Sequence, residues 1–245
     1  SNYAMYFQNS RYYQEQNFTS VAAELNSRFL EGRLTNTLRY TYSHQYEPRS
    51  YDGKLFPTVD ILEEYQGNRA VYASFGLDPF TYGNLREVST HVVTDEIGYT
   101  VGKNRFVAGL QFEHNVAKNG YLQGGAGYYI YDSWSDFTSN AAPGAFVITH
   151  ANRTDLKQSY PSFNYMQYSI YAQDEITFSE RFKATLGLRL EIPVYPTIAG
   201  NENKEFTSLF AGNGGYKTSD MPKARLNVAP RFGFNWDMTG ERKYI

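Results

Sequence analysis

The sequence predicts an all-β protein, an antiparallel transmembrane β-barrel wall that is a fragment of a larger barrel. Three observations predict it. Apolar and polar residues alternate with a period of two in seven separate segments, and a strand turns successive side chains to opposite faces. The connections between these segments are short and very long by turns, which matches short periplasmic turns and long extracellular loops. The 245 residues include 23 Tyr and 17 Phe, yet no run approaches the ~18 apolar residues of a membrane-spanning helix.

The first pair of strands runs through Phe18–Phe29 and Leu34–Tyr42. Val21, Ala23 and Leu25 share one parity, and Glu24, Asn26 and Arg28 the other. Leu30-Glu31-Gly32 is the turn, and Leu34, Leu38, Tyr40 and Tyr42 then alternate with Thr35, Thr37, Arg39 and Thr41. A second hairpin turns at Gly102-Lys103-Asn104. Ile97, Tyr99 and Val101 precede it on the apolar side, and Phe106, Ala108, Leu110 and Phe112 follow. A third turns at Ser179-Glu180-Arg181, with Tyr168, Ile170 and Ala172 before it and Phe182, Ala184, Leu186, Leu188 and Leu190 after it. A seventh strand covers Leu226–Trp236, and Tyr244-Ile245 looks like the stub of an eighth. Ala4–Phe7 reads as the tail of a preceding strand or as loop.

The stretches Glu47–Arg86, Val116–Tyr165 and Ile192–Lys223 are long, rich in Gly, Pro, Asn, Asp and Tyr, and without sustained alternation. They read as loops, well beyond the ~12–15 residues usual in a compact domain. Tyr40, Tyr42, Tyr99, Tyr168 and Trp236 fall at or near strand ends, where amphipathic rings favour the lipid–water boundary. Asp95 and Val93 share the apolar parity, and a carboxylate there demands a limit to the apolar band, a bulge or a covering neighbour. A soluble all-β domain is the competing fold, and its apolar face would be buried between sheets.

Seven strands do not close a bacterial barrel, which takes an even number from eight upward, and open edges in lipid are not viable. The chain is therefore expected to be a middle portion, with strands missing on both sides. It opens Ser1-Asn2-Tyr3 without an initiator Met, so either a leader was removed or the chain is a piece of something longer.

Composition narrows function. A formal net charge of -2 argues against nucleic-acid binding. The absence of Cys removes disulfides, thiolate metal sites and cysteine nucleophiles. No nucleophile elbow or acid–base pair is present, so no enzyme is expected, and no cofactor. Gly124-Gly125-Ala126-Gly127 is a hinge or a turn; it lacks the Lys-Ser/Thr of a phosphate loop. Asp132-Ser133-Trp134-Ser135-Asp136 spaces two carboxylates like part of a calcium loop, without the Gly and distal Glu. His44, His91, His114 and His150 form no local metal-ligand pair, and no metal site is expected. Asn17-Phe18-Thr19 and Asn152-Arg153-Thr154 match the glycosylation pattern, a common chance match.

Two candidate sites emerge. The polar parity carries Arg39, Arg105, Glu113, Glu175, Lys183, Arg189, Glu191 and Arg231. Facing a lumen, these would pair across strands, brace a plug and keep the interior wet, or else touch a passing ligand. The second long loop carries Tyr128, Tyr129, Tyr131, Trp134 and Phe137. These rings either grip an extracellular ligand, since aromatics bury area at low entropic cost, or form the small core a long loop needs to be ordered.

Tyr171-Ala172-Gln173-Asp174-Glu175 followed by Leu186-Gly187-Leu188-Arg189-Leu190-Glu191-Ile192-Pro193 resembles a hairpin of TonB-dependent receptors. Ala229-Pro230-Arg231-Phe232-Gly233-Phe234-Asn235-Trp236-Asp237 resembles a strand of the same group, with Ala229 where Ser is usual. Tyr128-Tyr129-Ile130-Tyr131 and Ser135-Asp136-Phe137 are similar to the Oar-like branch of Bacteroidetes and related bacteria, whose members carry a carboxypeptidase-like regulatory domain. The resemblance runs from about Phe18 to the C-terminus. It implies a 22-stranded outer-membrane barrel with an N-terminal plug, importing a scarce ligand with energy passed through TonB. The ligand stays open among metal chelate, peptide and oligosaccharide. Residues 1–245 would be barrel wall alone, with no recognisable plug. The implied partners are outer-membrane lipid, the TonB complex through parts outside this chain, and a surface lipoprotein. A role in surface assembly or adhesion is the alternative to transport.

Overall fold

The computed structural model describes residues 4–151, 159–196 and 202–240. The pattern Asn152-Arg153-Thr154 and the stub Tyr244-Ile245 lie outside the described residues. The strands are β1 (Met5–Tyr6), β2 (Tyr12–Gln14), β3 (Asn17–Phe29), β4 (Leu34–Tyr51), β5 (Thr58–Tyr65), β6 (Asn68–Phe75), β7 (Leu85–Val101), β8 (Asn104–Gly120), β9 (Tyr128–Tyr131), β10 (Ala145–Val147), β11 (Ser162–Ser179), β12 (Phe182–Val194) and β13 (Asn227–Trp236). Two short helices, α1 (Trp134–Thr138) and α2 (Lys204–Leu209), accompany them. Neither is long enough to cross a membrane.

The larger sheet has the order β13-β12-β11-β8-β7-β4-β2, with β3 also paired to β4. The seven strands expected from the two-residue period are therefore neighbours in chain order, an up-and-down meander. Register keeps their faces chemically distinct. Ile170 lies opposite Leu190, and Ala172 opposite Leu188. Across the next pair, Leu186 meets Phe232 and Leu190 meets Val228. The whole apolar parity thus falls on one face. These side chains are exposed: Leu25, Ile97, Leu110, Ile170 and Leu186 all stand free, and Phe232 is 72% exposed. A sandwich would have buried them.

The turns follow local chemistry. Leu30, Glu31 and Gly32 all have positive φ, a conformation that costs glycine little and the two residues before it more. At the third turn the Ser179 hydroxyl accepts from the backbone N–H groups of Arg181 and Phe182, at 3.3 and 3.1 Å.

The strands run well past their expected ends. β4 and β11 have 18 residues and β7 and β8 have 17, whereas a membrane crossing takes roughly 9–11. The extra length lies in sequence that lacks alternation, because a strand with water on both faces has no need to keep one face apolar.

The long connections are not irregular either. Those between β4 and β7 and between β8 and β11, together with β1, build a second sheet of order β1-β6-β5-β9-β10. Ala4–Phe7, read as strand tail or loop, supplies β1, which pairs parallel to β6. The β5–β6 hairpin closes on Gln66-Gly67, both with positive φ (51° and 73°), as a two-residue turn between twisted strands requires. A bulge between Ile61 and Leu62 shifts the parity midway and hides the hairpin from a search for alternation. Val59, Ile61, Ala73 and Leu77 are buried here.

The chain divides into two compact units. One comprises Ser1–Thr19, His44–Val88 and Ala117–Phe163; the other comprises Ser20–Ser43, Ser89–Val116 and Asn164–Ile245. The first holds the second sheet and the loop-side strand ends. The second holds the turn-side portions of the meander.

Candidate functional site

On the polar face of the meander, the residues selected by parity meet across strands. Arg39 on β4 pairs with Glu24 on β3, its Nε 2.6 Å from Glu24 Oε2, and Thr37 donates to Asn26 beside it at 2.8 Å. Lys183 and Glu175 stand 3.5 Å apart across the β11–β12 hairpin. Arg189 is the centre of the densest group. Its Nε lies 2.6 Å from Glu191 Oε1, and its Nη2 donates to Ser169 Oγ at 2.9 Å and Gln111 Oε1 at 3.1 Å. Its guanidinium also lies over the Tyr171 ring, 5.5 Å from the centroid. Tyr171 in turn donates to Glu96 Oε2 at 2.7 Å. Glu113 accepts from Asn115 at 2.6 Å. Arg105 and Arg231 are exposed on the same parity.

Glu96, Gln111, Ser169 and Tyr171 belong to this group but were not singled out as site residues. Their signal was present in the alternation itself: each sits on the polar parity of its strand. Charge on that parity marks Arg189 and Glu191; Gln111, Ser169 and Tyr171 are neutral, and Glu96, though charged, stands beside the apolar-parity Asp95.

On the apolar face, Tyr40 and Tyr42 on β4 converge on His91. The Tyr40 hydroxyl is 2.9 Å from His91 Nδ1, and the Tyr42 ring centroid is 4.9 Å from that of His91. His114 stacks on His91 at 6.3 Å, and Phe112 packs on Tyr168 at 5.1 Å. Strand pairing has brought two histidines together that are 23 positions apart, although no group of metal-ligating side chains forms among the described residues. Asp95 keeps the apolar parity. Asn36 on the neighbouring β4 covers it, donating to Asp95 Oδ1 at 2.5 Å and to the Glu96 carbonyl at 3.2 Å. A neighbouring side chain is thus seen to cover this carboxylate.

The loop aromatics fall on the second sheet. β9 runs parallel to β5, setting Tyr129 beside Val59 and Tyr131 beside Ile61. Trp134 and Phe137 lie on α1, which Ser133 caps by accepting from the Asp136 N–H at 3.1 Å. Phe137 packs edge-on against Tyr131 at 5.3 Å and Phe75 at 5.5 Å, and Trp134 lies 5.8 Å from Phe137. Tyr129 stacks on Phe146 at 4.6 Å. The same rings therefore hold the loop sheet together. An open groove of about 480 Å³ remains beside them, lined by Phe7, Gln8, Asn9, Phe75, Trp134 and Phe137. Trp134 is 45% exposed.

Tyr128 points to the opposite face of this sheet. Its hydroxyl donates to Asp60 Oδ2 at 2.5 Å, while Ser74 donates to Asp60 Oδ1 at 2.6 Å. Burial, and then the Asp60 carboxylate, hold the Tyr128 phenol well above its ordinary range. The two carboxylates of the calcium-like stretch are engaged elsewhere: Asp132 pairs with Arg69 at 2.5 Å, and Asp136 accepts from Ser133 at 2.7 Å. The glycine run forms an ordered turn, with Gly127 N–H donating to Gly124 and the Gly127 carbonyl accepting from Thr58 N–H, both at 2.9 Å.

A protein-family model described as an outer membrane beta barrel domain matches residues 50–244. Among solved structures, the outer membrane transporter YddB from Escherichia coli matches with a TM-score of 0.50 at 12% identity. The alignment covers 94% of this chain and 25% of that one, so the chain spans about a quarter of the transporter's length. At that identity the likeness shows the fold. No curated protein matches the chain.

Proposed function

The chain belongs to the outer membrane beta-barrel domain family, and from that premise we propose that it forms about seven strands of the wall of a larger, plugged, TonB-dependent receptor. The protein resides in the bacterial outer membrane, so its exposed apolar face meets lipid and its polar face meets a lumen. The observation that carries the reading is this division of one sheet, with Leu25, Ile170 and Phe232 exposed on one side and the Arg189–Glu191–Ser169–Gln111 group on the other. The motif resemblance to the Oar-like branch supports the TonB-dependent part.

Its role is capture and passage rather than catalysis. The groove beside Trp134 and Phe137 offers ring faces together with the side-chain amides of Gln8 and Asn9, which suits a peptide or an oligosaccharide. The lumen groups Arg39, Arg105, Glu113, Glu175, Lys183, Arg189, Glu191 and Arg231 brace a plug and hold water. Coupling of outer ligand binding to inner TonB contact requires two sites, of which this chain supplies the outer one.

The test uses the complete receptor in its native outer membrane. Carbonate washing should leave it in the membrane, and site-specific crosslinking should join its periplasmic side to TonB. Release by carbonate overturns the membrane wall. Retention without any TonB crosslink, while a surface complex still assembles on the loops, replaces import with the assembly or adhesion role.

A further inference from the structure

We infer that the loop sheet carries a pocket for the alkylammonium group of a ligand, seated between the carboxylates of Asp60 and Asp78. Ser74 and Phe75, successive on β6, line this pocket and the Trp134 groove respectively, so the two lie on opposite faces of the sheet. The inference therefore stands apart from capture in that groove and from TonB dependence. The pocket has a volume of about 250 Å³, several times the ~30 Å³ share of a water molecule. Asp60 on β5, Ser74 on β6 and Tyr128 on β9 line it together with Asp78, Phe80 and Gln123. All six belong to the first compact unit.

Strand register assembles the site. Asp60 stands opposite Ser74, whose hydroxyl donates to Asp60 Oδ1 at 2.6 Å, and Tyr128 donates to Oδ2. Asp60 is only 8% exposed. Both donors are neutral, and burial together with Asp60 keeps the Tyr128 phenol protonated above its ordinary range. They meet the hydrogen-bonding needs of the carboxylate and leave its charge. Asp78 adds a second charge. Its Oδ1 accepts from the Phe80 N–H at 3.0 Å and the Thr81 hydroxyl at 3.2 Å, and its Oδ2 has no partner among the described residues. Neither aspartate makes an ion pair among the described residues, and no Lys or Arg lines the pocket. A buried carboxylate without a counter-charge is costly, and a ligand that brings the cation removes that cost.

The acceptors select the kind of cation. A guanidinium is a planar fork suited to a carboxylate with both oxygens open. On Asp60 each oxygen already takes a donor. A divalent metal requires more oxygen ligands, and no group of three metal-ligating side chains forms among the described residues. An ammonium is compact and carries three donors on a flexible stem. It can take a remaining lone pair of Asp60, the open Asp78 oxygen and the Gln123 side-chain carbonyl, with the Phe80 ring available to its methylenes. A peptide's lysine side chain and a free diamine both present such a group.

The complete outer-membrane protein, purified in a neutral detergent, is titrated calorimetrically with Nα-acetyl-lysine amide, its arginine and norleucine counterparts, and cadaverine. Wild type should bind an amine probe about tenfold more tightly than the arginine amide, and the norleucine amide not at all. Binding of the lysine amide alone assigns the site to peptide side chains, binding of cadaverine alone assigns it to a free diamine, and binding of both supports either source. Asp78→Asn, which keeps the bonds to Phe80 and Thr81, should weaken the bound amine about tenfold. Gln123→Lys, which brings its own ammonium to the pocket, should abolish binding. Asp52→Asn, which neutralises a carboxylate of the same unit outside the pocket, should leave binding unchanged. Heat-modifiable migration on gels shows that each variant is folded. No binding of either amine by wild type, arginine amide bound as tightly as the better amine, undiminished binding in folded Asp78→Asn or Gln123→Lys, or an equal loss in Asp52→Asn each overturns the proposal.

Discussion

The Tyr171 hydroxyl donates to Glu96 Oε2 at 2.7 Å, although β8 lies between their strands in the sheet. The ring crosses that strand over Gly109. A Cβ on Gly109 would sit 2.4 Å from Tyr171 Cζ and 2.5 Å from its hydroxyl oxygen. Glycine is needed here for close approach, not for an unusual backbone angle. The crossing ties three strands together on the polar face and supplies the ring on which Arg189 rests.

Gly109→Ala should therefore destabilise the wall by about 1–3 kcal/mol, the usual cost of overpacking. Tyr171→Phe, which keeps the ring and removes the hydroxyl, should cost about 1 kcal/mol. In the Gly109→Ala/Tyr171→Ala double variant the steric cost of the alanine should vanish, so the single effects will not add. Thermal unfolding of the complete protein in detergent at one scan rate measures all of these. Additive losses would show that ring and glycine do not meet.

Asp174 should behave in the opposite way. It shares the apolar parity, lies opposite Leu186, and its Oδ1 is buried without a hydrogen-bond partner among the described residues. An orphaned carboxylate oxygen beside apolar side chains is a cost to the fold. Asp174→Leu is expected to stabilise the wall by about 1–3 kcal/mol and so to raise the unfolding midpoint. A lowered midpoint in the same assay would mean that a group outside the described residues satisfies Asp174.

The Tyr128–Asp60 bond makes the loop sheet sensitive to alkali. The folded pKa of Tyr128 is raised above the ordinary 10.0, first by burial and then by the Asp60 hydrogen bond. Its contribution is fully present below that ordinary value and is lost as pH rises above it towards the folded value. Protease cleavage within residues 58–75 should accelerate above about pH 10 in wild type. Tyr128→Phe should cleave faster at neutral pH, because Asp60 loses a donor, but with a flatter rise in alkali. An equally steep rise in the variant would assign the sensitivity to another group.

The seven-strand meander, its short turns and the chemical identity of its two faces were all legible in the sequence. The reason is physical. A wall between lipid and water must repeat its polarity with the period of the pleat, so Leu186, Leu188 and Leu190 announce their face without any knowledge of the fold. Charge on the other parity likewise marked Arg189 and Glu191.

Tertiary structure alone decided the rest. The second sheet joins β1 to β6 and β9 to β5 in parallel across long separations, and the bulge after Ile61 erased the local period that would have betrayed its hairpin. That Asp95 is covered by Asn36, 59 residues away, follows only from the pairing of their strands. Local sequence specifies which way a side chain points along its own strand; which side chain stands opposite is set by strand register, and register is a property of the assembled sheet.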